Sequence, residues 1–226
     1  MDIKNNNNSP LTPNPGSFIT GNGAKPLGGT APSEAHLYVA ESDEYFVKMK
    51  TTFTVPSIPT DTAGNYYLYL WPGLQSAKLG IFQPVLAFHS TYPSWYLHTY
   101  AIAPKGSSTP HQQGADYDVA VGTELTGVIE LTQKTDNAYT YKVSFEGYPE
   151  ATSCSQTWEL PATIAWQYIE NYYVTKRTQF PQEDTLLMKD ILLVTNKGTL
   201  INLPWKSSTP KMVYTNKKVI LPYWNQ

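Results

Sequence analysis

The chain has 226 residues, 41% hydrophobic and 15% charged, with a formal net charge of −2. Lys and Arg number 16 against 18 Asp and Glu, and Arg177 is the sole arginine, which excludes a basic nucleic-acid binder. With 17 Tyr, 6 Trp, 14 Gly and 18 Pro, the composition favours short strands and turns over helix bundles. One cysteine, Cys154, leaves no intrachain disulfide and no cysteine-based zinc cluster. No apolar run approaches the roughly 20 residues that span a bilayer. The start, Met1-Asp2-Ile3-Lys4 followed by Asn5 to Asn8, lacks the apolar stretch of a signal peptide.

Residues 1–33 form a compositional island, with four consecutive Asn, four Pro between Pro10 and Pro26 and five Gly between Gly16 and Gly29. Such a segment buries too little apolar surface to offset its ordering entropy, so a flexible leader is expected there, with residues 34–226 forming one domain. From His36 the pattern changes to strand signals. Tyr45 to Val55, YFVKMKTTFTV, alternates and ends at Pro56; the aromatic run Tyr66 to Trp71 is expected to stop at Pro72-Gly73. Ile81 to Phe88 and Trp95 to Ala103 follow, each bounded by turn formers. Thr126 to Thr132 and Tyr139 to Phe145 flank Lys134-Thr135-Asp136-Asn137, a hairpin turn by composition. Trp158 to Leu160, Ala165 to Val174, Leu186 to Val194 and Val219 to Leu221 bring the series to about ten strands. That number at this spacing predicts an all-β chain, a two-sheet antiparallel β-sandwich of the concanavalin-like jelly-roll type.

Several chemistries lack their residues. There is no Gly-rich phosphate loop and no GxGxxG. His36, His89, His98 and His111 form no HExxH pair, and no GxSxG occurs. Asp116 and Asp118 alternate without the third acid that a glucan-cleaving sandwich carries on one strand.

Two strands place a polar residue where an apolar one is the default. Gln83 shares a strand face with Ile81, Val85 and Ala87, and Glu170 shares one with Trp166, Tyr168 and Tyr172. Each has an ordinary reading, a hydrogen bond to a loop or a wet sheet edge. A carboxylate framed by aromatics in a cleft would instead have a raised pKa suited to acid–base work.

Read together, the local sequences resemble those of the glutamic peptidases, the eqolisin family. Ile81-Phe82-Gln83 resembles that family's Ile-Leu-Gln strand, and Ala165-Trp166-Gln167-Tyr168-Ile169-Glu170 its Ala-Glu-aromatic-Ile-Ile-Glu segment. KMKTTFTVP (Lys48 to Pro56), Trp71-Pro72-Gly73, Trp95-Tyr96 and Val121-Gly122-Thr123 are similar to further motifs in the same order, over residues 37–195. Positions that carry acids in the family hold Leu97, Pro93, Thr123 and Trp166 here, and the family's disulfides have no counterpart. The resemblance implies an acid-acting endopeptidase with a Gln83/Glu170 dyad. Glu170 would be the general base on water and Gln83 the stabiliser of the oxyanion. It also implies substrate-binding roles for Trp71, Trp95, Trp166, Tyr168 and Tyr172. The expected partner is a polypeptide substrate, with no metal, cofactor, nucleic acid or membrane, and the expected protein is a secreted or cell-surface monomer whose signal peptide is absent from this sequence. The competing reading is a non-catalytic sandwich that binds carbohydrate or extended peptide on an aromatic-lined concave sheet.

Overall fold

The computed structural model describes residues 33–103 and 110–224; the expected leader, apart from Ser33, lies outside them. In chain order the strands are β1 (Ser33–Tyr38), β2 (Phe46–Thr54), β3 (Tyr67–Ser76), β4 (Ile81–His89), β5 (Tyr92–Ile102), β6 (Gln112–Gln113), β7 (Tyr117–Val119) and β8 (Glu124–Lys134). They continue with β9 (Tyr139–Phe145), β10 (Cys154–Trp158), β11 (Ala162–Tyr172), β12 (Thr185–Thr195), β13 (Gly198–Thr199), β14 (Val213–Thr215) and β15 (Lys218–Pro222). The only helical pieces among the described residues are two 3-10 turns of three residues each.

The strands form two antiparallel sheets. One runs β1-β11-β3-β4-β5-β6 with β7 also on β5; the other runs β10-β9-β8-β2-β12-β15-β14 with β13 on β12. The two-sheet sandwich expected from the sequence is the fold observed. Between the sheets, Leu68, Leu70, Leu74, Phe82, Leu86 and Phe88 of β3 and β4 pack in one cluster with Met49, Phe53, Leu125 and Ile129 of β2 and β8. This is the strand alternation at work: even-numbered positions of β3 and β4 face the second sheet and odd-numbered ones face away. The outward positions form a second, separate cluster, with Tyr67, Tyr69, Trp71, Val85, Tyr96 and Tyr100 among its members. β3 and β4 are accordingly buried at every position.

Three local expectations shift and one holds. β3 does not stop at Trp71 but runs on to Ser76 through Pro72 and Gly73. The pairs Leu70↔Leu86 and Leu74↔Phe82 bring Pro72 opposite Pro84, so the two residues without an amide proton share one gap in the ladder. Their rings turn inward over Gly127 of β8, where an added Cβ would sit 2.7 Å from Pro84 Cγ and 3.2 Å from Pro72 Cγ. The strand expected at Trp158 to Leu160 instead ends at Trp158 and begins at Cys154. β1, unrecognised in the sequence, pairs along β11 from Ser33↔Ile169 to Tyr38↔Ile164. The turn at Lys134 to Asn137 forms as expected, closed by Thr135 N–H donating to Ala138 O at 2.9 Å.

Candidate active site

Register places the two singled-out polar residues on the same face of the seven-stranded sheet. Glu170 on β11 pairs with Tyr69 on β3, which pairs with Ala87 on β4 and through it Tyr96 on β5. The next row along the face is Tyr168, Trp71, Val85 and His98. The row after that holds Trp166, Gly73, Gln83 and Tyr100, with Gly73 and Gln83 opposite each other by continuation of the β3–β4 register.

Glu170 is 2% exposed, and burial pushes its carboxyl up to about 7 against two donors that pull the other way, Tyr172 and Trp71. The Tyr172 hydroxyl donates to Oε1, and Trp71 Nε1–H donates to Oε2 at 3.2 Å. Desolvation exceeds the stabilisation that these two bonds give the charge. The group therefore changes protonation near neutrality, which an ordinary carboxyl does not. Trp71 is itself fixed by stacking on Tyr168, with ring centroids 4.6 Å apart and planes within 5°. Tyr69 meets Tyr172 edge-on at 5.8 Å, and its buried hydroxyl has no hydrogen-bond partner.

Gln83 is 0% exposed, and neither Oε1 nor Nε2 has a hydrogen-bond partner. Leaving a buried polar group unpaired costs on the order of 1–3 kcal/mol. Gln83 and Glu170 are two strands and four residues apart, roughly 16 Å between Cα atoms on an untwisted sheet. Trp71 occupies the position on the diagonal between them. A Cβ added to Gly73 would lie 2.8 Å from Trp71 Cζ3, so the six-membered ring rests on the glycine that faces Gln83. One edge of the indole holds Glu170 while its other edge lies over Gly73.

Of the expected binding residues, Trp71, Trp166, Tyr168 and Tyr172 line this face. Trp166 and Tyr168 are half-buried, and Trp166 Nε1–H donates to Gln75 Oε1 at 2.6 Å. Trp95 does not join them. It lies in the core between the sheets, 1% exposed, against Phe88 at 5.2 Å. The pair Phe88↔Trp95 fixes it on the inward parity, and Leu97 goes with it. β5 turns Tyr96, His98 and Tyr100 outward, so position 97, where the resembled family carries an acid, faces the core here. His98 also stands on this face, with Nδ1 bonded to Asp116 and Nε2 buried without a partner. Its parity with Tyr96 and Tyr100 was the available signal.

Among the described residues, no three His, Cys, Asp or Glu side chains gather to hold a metal, and no helix is long and apolar enough to cross a membrane. An open groove lined by Thr54, Pro56, Glu183, Leu186, Lys189 and Tyr223 contains neither Gln83 nor Glu170.

No protein-family profile and no curated protein sequence matches this chain. Solved structures do. A scytalido-glutamic peptidase with a peptide-based transition-state analogue aligns at a TM-score of 0.59 and 11% identity, covering 85% of this chain and 98% of its own. SCP-B, a member of the eqolisin family of peptidases in complex with the tripeptide Ala-Ile-His, aligns at 0.56 and 11% identity with the same coverage. A second scytalido-glutamic peptidase complex, with a transition-state analogue inhibitor, aligns at 0.56 and 10% identity over 85% of this chain and 98% of its own. The fold is the eqolisin sandwich. At this identity the likeness carries the architecture, and what the residues on an eqolisin sheet do here rests on this chain's own geometry.

Proposed function

We propose that the outer face of the seven-stranded sheet binds an extended polypeptide and hydrolyses it, with Glu170 moving protons at the bond that is cut and the amide of Gln83 holding the chain further along the face. One observation carries the reading. A buried carboxyl that titrates near 7 shares a face with an amide whose donor and acceptor are both free. Structural carboxylates gain bonds that lower their pKa, whereas this one is held ready to exchange a proton.

At pH 4 only about one Glu170 in a thousand is ionised, given a carboxyl near 7. An acid-acting enzyme would therefore start from the protonated form rather than from the carboxylate expected by resemblance. Water oxygen bonds to the carbonyl carbon; one Glu170 oxygen gives its proton to the carbonyl oxygen while the other accepts a proton from water. The resulting gem-diol breaks its C–N bond as Glu170 protonates the nitrogen and takes back a hydroxyl proton. Gln83, about 16 Å from Glu170, bonds the main chain of the substrate away from the reacting oxygen.

The test is cleavage of a denatured protein at pH 3–9 by wild type, Gln83→Ala and Glu170→Gln. Glu170→Gln is expected to lose about a hundredfold in kcat/KM, the equivalent of one lost proton carrier, and Gln83→Ala about tenfold through a higher KM, the worth of one substrate hydrogen bond. A cleaving wild type with either variant at full rate overturns the assignment. A second reading, polypeptide or carbohydrate binding without hydrolysis, is favoured by the Trp71 ring standing between the two groups. It predicts a wild type that binds and never cuts.

A further inference from the structure

We infer that Gln83 and His98 together form a clamp for the main chain of an extended polypeptide, at a place on the sheet separate from Glu170. This inference rests on the polypeptide-binding part of the reading above and is independent of hydrolysis. The pairs Gln83↔Tyr100 and Val85↔His98 make Gln83 and His98 diagonal neighbours on one face. Diagonal neighbours on adjacent strands lie about 7–8 Å apart. No aromatic side chain stands on that diagonal, in contrast to the path from Gln83 to Glu170.

His98 is 6% exposed, and its Nδ1 is bonded to Asp116. With the carboxylate on one side of the imidazole, Nε2 points the opposite way, and it has no partner. The ring is held against Tyr100 at 4.0 Å between centroids, so its direction is set by two contacts. Gln83 brings a donor and an acceptor, both unpaired and enclosed. Three hydrogen-bonding atoms with no structural partner thus belong to diagonal neighbours on one face, the face whose apolar cluster includes Ile81, Val85, Tyr96 and Tyr100.

The ligand that suits them is itself an amide chain. In an extended strand the N–H and C=O of one residue leave the same edge, which matches the paired donor and acceptor of a Gln side chain. The next residue with the same orientation lies two positions on, about 6.6 Å away. That repeat is close to the Gln83–His98 diagonal. With Nδ1–H donating to Asp116, His98 Nε2 is left to accept an N–H there. A sugar ring, with hydroxyls splayed around its rim, lacks that repeat.

The experiment uses the full chain with 13Cε1-labelled histidine and ten-residue Val/Tyr/Ala peptides in which single amides are replaced by esters. The His98 resonance, identified by its loss in His98→Gln, is expected to shift on saturation with peptide. One ester position is expected to weaken binding to wild type about tenfold, the worth of one hydrogen bond, and to leave binding to Gln83→Leu unchanged. A flat ester scan, the same scan in Gln83→Leu, an unmoved His98 signal, or no peptide binding at all each overturns the clamp. Cleavage with a flat scan removes the clamp and leaves the hydrolase. The ester pattern without cleavage sustains the clamp and removes the hydrolase.

Discussion

Gln167 and Gln83 are both fully buried amides in the seven-stranded sheet, on opposite faces. Gln167 points between the sheets, where its Nε2–H donates to Thr51 Oγ1 on β2 at 2.9 Å and ties one layer to the other. Gln83 points outward and binds nothing. The inward amide pairs its donor across the layers and leaves only Oε1 unpaired, whereas the outward one leaves both atoms unpaired and gains nothing inside the fold. An unpaired buried group in a native protein is a marker of function when similar groups gather near it. Here His98 Nε2, the Tyr69 hydroxyl and the neutral-range Glu170 carboxyl share its face.

The largest effect that separates the two faces is expected from Glu170. Its folded pKa of about 7 lies above the ordinary 4.5, so the folded protein holds a proton between those values that the unfolded chain has released. Its contribution is therefore fully present below about pH 4.5 and is lost as pH rises through 7, by roughly 3 kcal/mol. Glu170→Gln, which imitates the protonated acid, should match wild type at pH 4 and exceed its stability by about that amount at pH 8. Denaturant unfolding at the two pH values reads this directly; equal stability of both proteins at pH 8 would break the assignment of Glu170 as a desolvated carboxyl.

A smaller effect tests the amides themselves. Gln83→Leu removes two unpaired atoms and should stabilise the fold by about 1–3 kcal/mol, whereas Gln167→Leu removes one unpaired atom together with Thr51's donor, so the two effects offset to within about 1 kcal/mol. Thermal melts that rise equally in both variants would erase the contrast between the faces.

Gly73→Ala probes the separator. The new Cβ meets the Trp71 ring at 2.8 Å and Ile81 at 3.3 Å, and displacing the indole should cost about 1–3 kcal/mol. Because Trp71 is one of the two donors to Glu170, the carboxyl pKa should rise further in the same variant. An unchanged pKa would mean that the indole and the carboxyl are not coupled.

Much of this was legible in the sequence. The alternation in YFVKMKTTFTV and in the strands around Gln83 and Glu170 gave the sandwich and correctly grouped each residue with its face neighbours. What local pattern cannot give is cross-strand register, and register decides whether two outward residues meet. The hairpin from Trp71 to Gln83 sets Gln83 opposite Gly73 rather than opposite Trp71, which puts the indole in between. Trp95-Tyr96 posed a different problem, since two adjacent aromatics leave parity open until the partner strand is known. The His98–Asp116 pair is separated by 18 residues, with β6 between, and no spacing rule announces it.

The most direct test is the pH profile of kcat/KM for polypeptide cleavage by wild type and Glu170→Gln between pH 3 and 9. The account predicts wild-type cleavage that falls as pH rises through about 7, where the buried Glu170 loses its proton. It also predicts a Glu170→Gln profile lower by about a hundredfold throughout. A wild type without cleavage at any pH, or a variant with the same profile as wild type, would contradict it.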